Sequence, residues 1–375
     1  MSVNTTQLFA RFDHEMRGYF TQTLPASLGV AVSGGSDSLA LLFLAKQWCA
    51  GHGIECRAVT VDHDLRPTSR QEAEWVVQVA ASLGIACDIK TWAHDDPKAN
   101  LQAQARTARY GLIDTWRRDI SHVLTGHTLD DQAETFLLRL KRGSGVDGLS
   151  AMASVRDMGD WSILRPCLNM TRQDLRAFLM EHSQTWIEDP SNDNPKFDRV
   201  RMRHMLNDMR DAGLDAKGLA DTSTRMARAR DALQFYTKQL ARTSVTTEYG
   251  DVIIDLNDLN AAPDDIQFRL VAAAIGWITS QTYRPRFSAL KNGLEAVKNG
   301  QAATLSGAVL FPHKGHLRAT REYNAIKEMT GCGQFDHRWA IEHESDHHIA
   351  ALGPDHAEVS RKRKAAWPFG VATLG

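Results

Sequence analysis

The chain is poor in cysteine and has no stretch able to cross a bilayer. Five cysteines (Cys49, Cys56, Cys87, Cys167 and Cys332) are scattered through 375 residues, and none forms Cys-x-x-Cys. That pattern argues against a zinc ribbon, an iron–sulfur site or a disulfide framework. Most are expected to be small buried apolar residues. No apolar run approaches the ~18–20 residues needed to span a membrane. The opening Met-Ser-Val-Asn-Thr-Thr-Gln-Leu-Phe lacks the basic start and apolar core of a secretory signal, so a cytoplasmic protein with no membrane partner is expected. An excess of one charge is missing too. Forty-four Lys and Arg balance 45 Asp and Glu, which argues against a surface that coats nucleic acid everywhere but permits a local patch. There is no internal repeat and no low-complexity tract.

What is present is most informative at residues 28–38. The apolar run Leu28–Val32 stops at Ser33-Gly34-Gly35-Ser36-Asp37-Ser38, and a helical stretch, Leu39–Cys49, follows at once. A strand, a small-residue loop and a helix N-terminus in succession make an anion site from backbone N–H groups and the helix dipole. No Gly-Lys-Ser/Thr closes the loop, so it is not a Walker A loop, nor does it fit the Gly-x-Gly-x-x-Gly of dinucleotide binders. The bland alternative is a strand–helix turn that uses Gly and Ser for geometry alone.

The first half alternates β-branched runs with amphipathic stretches. Runs at 28–32, 56–61, 86–92, 122–125 and 162–164 are separated by helical segments at 39–49, 70–83, 101–118 and 130–140. That spacing reads as βαβ units building a parallel, Rossmann-like α/β sheet. Ligands in such sheets bind at the carboxyl ends of the strands. The first four runs all end in polar residues: Ser33–Ser38, Asp62–Arg66, Trp92–Asp96 and Gly126–Asp131. From about Asp193 the text becomes helical, and after Gly300 it turns to short strands. The expected organisation is a catalytic domain at 1–205, a helical domain at 206–300, and a small, truncated-looking α+β module at 301–375.

Several constellations could carry chemistry. Asp62 and His63 end the second strand, where they could equally cap the next loop. Arg106 and Arg109 lie three apart on one helix face. Arginine forks bind phosphate bidentately, though a surface ion pair would also explain them. His127, Asp130, Asp131 and Glu134 fall at i, i+3, i+4 and i+7, the spacing of one face at a helix start. Acids there suit the dipole. Three of them facing a phosphate loop would still repel a polyphosphate unless a cation lay between. Magnesium fits that gap, and so does the ammonium of a substrate. Between Lys196 and Arg242, eleven Lys and Arg face six Asp, a local excess suited to phosphate contacts, or a solvated helical face. His313, His316, His343, His347 and His348 lack a metal-ligand spacing and read as solvent-exposed.

These motifs together resemble a known family. Ser33–Ser38 resembles the pyrophosphate loop of the N-type ATP pyrophosphatases. Val61-Asp62-His63-Asp64-Leu65-Arg66, Gly126-His127-Thr128-Leu129-Asp130-Asp131-Gln132-Ala133-Glu134-Thr135, Arg142-Gly143-Ser144-Gly145 and Asp189-Pro190-Ser191-Asn192 are similar to elements of the tRNA(Ile)-lysidine synthases. Val200 stands where that family usually has Asn in its Arg-Asn-x-Ile-Arg element, which puts the role of Arg199 in doubt.

The resemblance implies ATP and magnesium as cofactors. It implies L-lysine and a CAU-anticodon isoleucine tRNA as partners, and a homodimer by analogy. It implies nucleotide contacts at Ser33, Gly34, Gly35, Ser36, Asp37, Ser38, Asp62, His63, Arg109 and Gly126. Catalytic roles fall to Asp37, Arg106, His127, Asp131 and Glu134, with Asp37 and Asp131 as magnesium ligands. Contacts to tRNA fall to Arg139, Arg142, Arg199, Arg201, Arg203, Arg225, Arg228 and Arg230. The expected reaction joins lysine to carbon 2 of the wobble cytidine through an adenylated intermediate. A tRNA thiolase of the same fold, or a non-catalytic nucleotide-binding module, are the alternatives. The thiolase would need cysteine pairs or a persulfide carrier. The binding module sits poorly with the acid cluster.

Overall fold

A computed structural model describes residues 4–94, 101–188, 198–281, 283–331, 334–340 and 349–351. The chain divides into two compact units, Met1–Ala229 and Arg230–Gly375.

In the first unit, α1 (Thr5–Tyr19) leads into β1 (Ser27–Ala31), α2 (Ser36–His52), β2 (Glu55–Asp62), α3 (Ser69–Ser82), β3 (Ala86–Thr91), α4 (Leu101–Arg117), β4 (His122–Thr125) and α5 (Leu129–Lys141). A short α6 (Val146–Leu149), β5 (Val155–Asp157), β6 (Ser162–Leu164), α7 (Arg172–Glu181) and α8 (Asp198–Met209) follow, and α9 (Ala216–Ser244) carries the chain into the second unit. The strands lie in the order β3-β2-β1-β4-β6-β5, all parallel except β5, which runs against β6. The chain moves outward from β1 to β2 and β3, then returns to the other side of β1 for β4. Such a reversal opens a crevice at the carboxyl ends of β1 and β4.

The pleat explains why the apolar runs are nearly continuous. Val30, Ala58, Leu124 and Leu164 face a core shared with α1, α2, α3 and α7. Their neighbours Val59, Val123 and Ile163 face Tyr110, Ile113 and Trp116 of α4 on the other side. A sheet covered on both faces buries every residue of its central strands. Gly29 has its own reason: a Cβ there would lie 3.0 Å from the Trp116 ring. Helix α2 is apolar almost all round, with Leu39, Leu41, Leu42, Leu44 and Trp48 fully buried, as a helix enclosed on every side must be.

The second unit contains β7 (Val245–Glu248), β8 (Asp251–Asp255), α10 (Leu256–Ala261), α11 (Asp264–Thr279), α12 (Phe287–Lys298), β9 (Ala303–Leu305), β10 (Ala308–His313) and β11 (His316–Arg321). These strands form an antiparallel sheet, β7-β8-β11-β10-β9. Strand β8 precedes the helices but pairs with β11 after them. One core therefore joins Val252 and Ile254 to Ile275, Leu294, Leu310 and Leu317, across residue 300, where the sequence suggested a boundary. Among the described residues no helix is long and apolar enough to cross a membrane.

Candidate active site

Glycine-rich geometry sets the loop after β1. Gly34 has φ +86°, and Gly35 is the N-cap of α2. Leu39 N–H is the first to reach a helical carbonyl, that of Gly35, so the N–H groups of the turn before it have no intrahelical partner. The hydroxyl of Ser38 braces the loop from inside: it accepts from Ser33 N–H at 3.1 Å and donates to the Gly35 carbonyl at 3.0 Å. The turn after β4 closes over it. A Cβ on Gly126 would sit 2.9 Å from the backbone of Asp37 and Ser38. Gly126 is therefore required by close backbone approach. On the other side, Ile187 N–H donates to the Gly34 carbonyl at 2.9 Å. The Asp189–Asn194 turn lies outside the described residues.

Three acids singled out from the sequence meet around a residue that was not. Arg172, the first residue of α7, directs Nε to Asp37 Oδ2 at 3.0 Å, with Nη2 3.6 Å from Asp131 Oδ1 and Nη1 3.9 Å from Glu134 Oε1. Its backbone N–H donates to Asp130 Oδ2 at 2.7 Å. Arg203 from α8 reaches the same Glu134 oxygen at 2.9 Å. Arg203, expected at a tRNA-facing surface, is thus turned into the acid cluster. The signal that could have located Arg172 is the Thr171–Asp174 capping box that starts α7.

Asp131 has two duties. Its Oδ2 closes the capping box of α5 with Thr128, while Oδ1 faces Arg172. Helix α5 starts only at Leu129, so His127 precedes the helix and does not share its face. A turn holds it instead, with His127 N–H on the Thr125 carbonyl at 2.9 Å and Nδ1 beside Thr125 Oγ1 at 3.0 Å.

Burial governs the charges. It pushes the Asp37 carboxyl up, against the pull of Arg172. Glu134, 1 % exposed, is likewise raised by burial and by Asp131, with Arg203 opposing. Burial also acts to raise Asp131, but Arg172, with the Thr128 N–H, outweighs it and holds it low. His127 falls to about 3, chiefly through burial, with Arg165, Arg109 and Arg106 adding to the effect. It is therefore neutral at pH 7. A depressed histidine withholds a proton that the unfolded chain accepts, so its stabilisation is complete above about pH 6.5 and is lost as pH falls toward 3. The variant His127→Asn is expected to flatten the fall of the thermal midpoint across that window, measured by calorimetry. An unchanged acid limb would show that another group causes it.

The remaining residues are placed as follows. Asp62 accepts from Asp64 N–H at 2.9 Å and so caps its own loop. His63 lies edge-on to Trp92, and burial lowers its imidazole. Arg106 and Arg109 stand over the Tyr110 ring. Arg139 donates to the Gly148 and Ala151 carbonyls at 2.7 and 2.8 Å, which fixes the glycine loop from within. Arg142, Arg199, Arg225 and Arg228 are exposed, while Arg201 pairs with Asp198 and Arg230 with Asp231. Val200 is buried. The described cysteines are all free thiols. Among the described residues no group of three or more His, Cys, Asp or Glu forms a metal cage.

A PP-loop domain model matches residues 8–209. The chain is 38 % identical to the tRNA(Ile)-lysidine synthase of Ruegeria pomeroyi, over 88 % of this chain and 79 % of that protein. It is 37 % identical to that of Wolbachia pipientis wMel, over 81 % and 72 %, and 33 % identical to that of Zymomonas mobilis, over 80 % and 89 %.

Proposed function

The chain belongs to the tRNA(Ile)-lysidine synthase family of PP-loop enzymes, and from that premise we infer that it ligates L-lysine to carbon 2 of the wobble cytidine of a CAU-anticodon tRNA(Ile), using ATP. The convergence of Asp37, Asp131 and Glu134 beside the loop carries this reading, because it offers a cationic amine a seat next to a phosphate site. The cytosine 2-oxo oxygen attacks the α-phosphorus, the bond to the β-phosphate breaks, and pyrophosphate leaves. The lysine ε-amine then attacks carbon 2, the carbon–oxygen bond breaks, AMP leaves, and the amine loses a proton.

The parts of the site divide this work. Loop N–H groups at the start of α2 hold the departing pyrophosphate. Two guanidinium groups, Arg172 and Arg203, contact three carboxylates and offset part of their charge, so the cluster favours a further cation such as an ammonium. Free lysine has an amine pKa of about 10.4, so it arrives charged and must shed a proton. Glu134, raised by burial, is the group of the cluster better suited to receive one. The donor set also suits a hard cation, since one or two carboxylates plus phosphates suffice for magnesium. Asp37 and Asp131 would hold that ion, which supplies charge neutralisation on the phosphates.

The test is pyrophosphate release by the purified protein. Sustained, multiple-turnover release that needs both lysine and the CAU tRNA is expected, the tRNA alone supporting no more than one turnover per enzyme. Release with ammonia or a sulfur donor in place of lysine would overturn the assignment. Arg225 and Arg228, exposed on α9, are proposed to grip tRNA phosphates. Reversing both to Glu is expected to weaken tRNA binding and reduce the slope of log K against log salt by roughly 0.7–0.9 per lost contact. An unchanged slope would make them solvated surface.

A further inference from the structure

Three arginines from two separate elements converge on one buried ring. The Cζ atoms of Arg106 and Arg109 on α4 lie 5.2 and 5.5 Å from the Tyr110 centroid, and that of Arg156 on β5 lies at 5.0 Å. Arg165, after β6, is buried and adds its charge to the same ring, lowering the Tyr110 hydroxyl against the effect of burial. Among the described residues none of Arg106, Arg109 and Arg156 is within ion-pair distance of a carboxylate. The ring face attracts each guanidinium, but a single neutral ring does not neutralise three charges. Such a cluster is a site for an anion with several oxygens, which arginine forks match.

Position selects the anion. The phosphates of a nucleotide belong to the loop between β1 and α2. Arg106 and Arg109 lie close enough to the carboxyl ends of β2 and β4 to act on His63 and His127, whereas Arg156 reaches the same ring from the edge strand, three strand steps from β1. Strand β5 is exposed along its length. An anion at that edge enters from solvent beside the crevice, as the backbone of a polynucleotide would. We propose that Arg156, with Arg106 and Arg109, clamps a phosphodiester of the substrate RNA on the Tyr110 platform. This rests on the functional reading above only in taking RNA as the substrate.

The experiment compares the full-length wild type with Arg156→Ala and Arg156→Lys. Affinity for CAU tRNA is measured across a salt series, and KM for ATP beside it. Arg156→Ala is expected to bind tRNA more weakly at every salt concentration, with the log–log slope reduced by about 0.7–0.9. KM for ATP should stay within twofold and the thermal midpoint should not move. Lysine should restore the slope but only part of the affinity, since it supplies charge without the planar fork. Unaltered tRNA affinity and slope in Arg156→Ala would overturn the clamp. So would a raised KM for ATP with unchanged tRNA binding, which would assign the cluster to the nucleotide. Failure of the wild type to bind tRNA at all would instead overturn the functional reading.

Discussion

Replacing Arg172 by alanine is expected to lower turnover by about a hundredfold or more and to raise KM for lysine. The side chain touches Asp37, Asp131 and Glu134, and no other described residue contacts all three. Without it, two acids that burial already disfavours as anions lose their common partner. Asp37 and Asp131 then repel one another and spread, and displacements near 1 Å at a reacting centre cost about a hundredfold. The helix itself should survive. The Thr171–Asp174 capping box and the bond from Arg172 N–H to Asp130 do not use the guanidinium. Truncation and loss of geometry can be separated by adding guanidinium ion to the alanine variant. Partial return of activity, with no change in melting temperature, is the expected result. An alanine variant with kcat/KM for lysine within threefold of wild type would show that Arg172 is a bystander.

Gly126→Ala carries the second large effect. The added methyl would meet Asp37 O, Ser38 Cα and Ser38 N, all at 2.9 Å. These are backbone atoms, so no side chain can swing away. Either the start of α2 or the β4–α5 turn must move. Overpacking of this kind costs about 1–3 kcal/mol, a fall of several degrees in the melting temperature of a unit this size. The larger consequence is functional, because the displaced atoms belong to the phosphate loop. KM for ATP should rise well beyond what the stability loss explains. Gly111→Ala is the matched control. It lies within α4 with nothing inside 4 Å of its Cβ, and alanine there should be neutral or stabilising by about 1 kcal/mol. Wild-type ATP kinetics in Gly126→Ala would show that the loop tolerates the shift.

Much of this architecture was legible because it is local. The runs at 28–32, 56–61, 86–92, 122–125 and 162–164 match β1, β2, β3, β4 and β6 to within a residue or two. Periodicity and β-branching write strands into sequence directly. Helices α1 and α7 and strand β5 are not among the elements that the periodicity predicts. Strand β5 is three residues long and exposed, so it carries no alternation to read. The acids of α5 were visible as a cluster, but their geometry was not. His127 lies before the helix because Thr128 takes the N-cap, a competition between adjacent polar residues that spacing alone does not resolve.

The sequence by itself determined the chemistry available: a loop for phosphate, acids for a cation, arginines for RNA. Each depends on neighbours a few residues apart, which chain connectivity supplies. Tertiary structure decided which charges meet. Arg172 is 135 residues from Asp37 and 42 from Asp130, and Arg156 is separated from Arg106 along the chain by β4, α5 and α6. Ion pairs and cation clusters act through space with no periodic signature. Only the packing of α7 and α8 beside the loop makes Arg172 and Arg203 partners of the acids, and only the edge position of β5 turns Arg156 toward the Tyr110 ring.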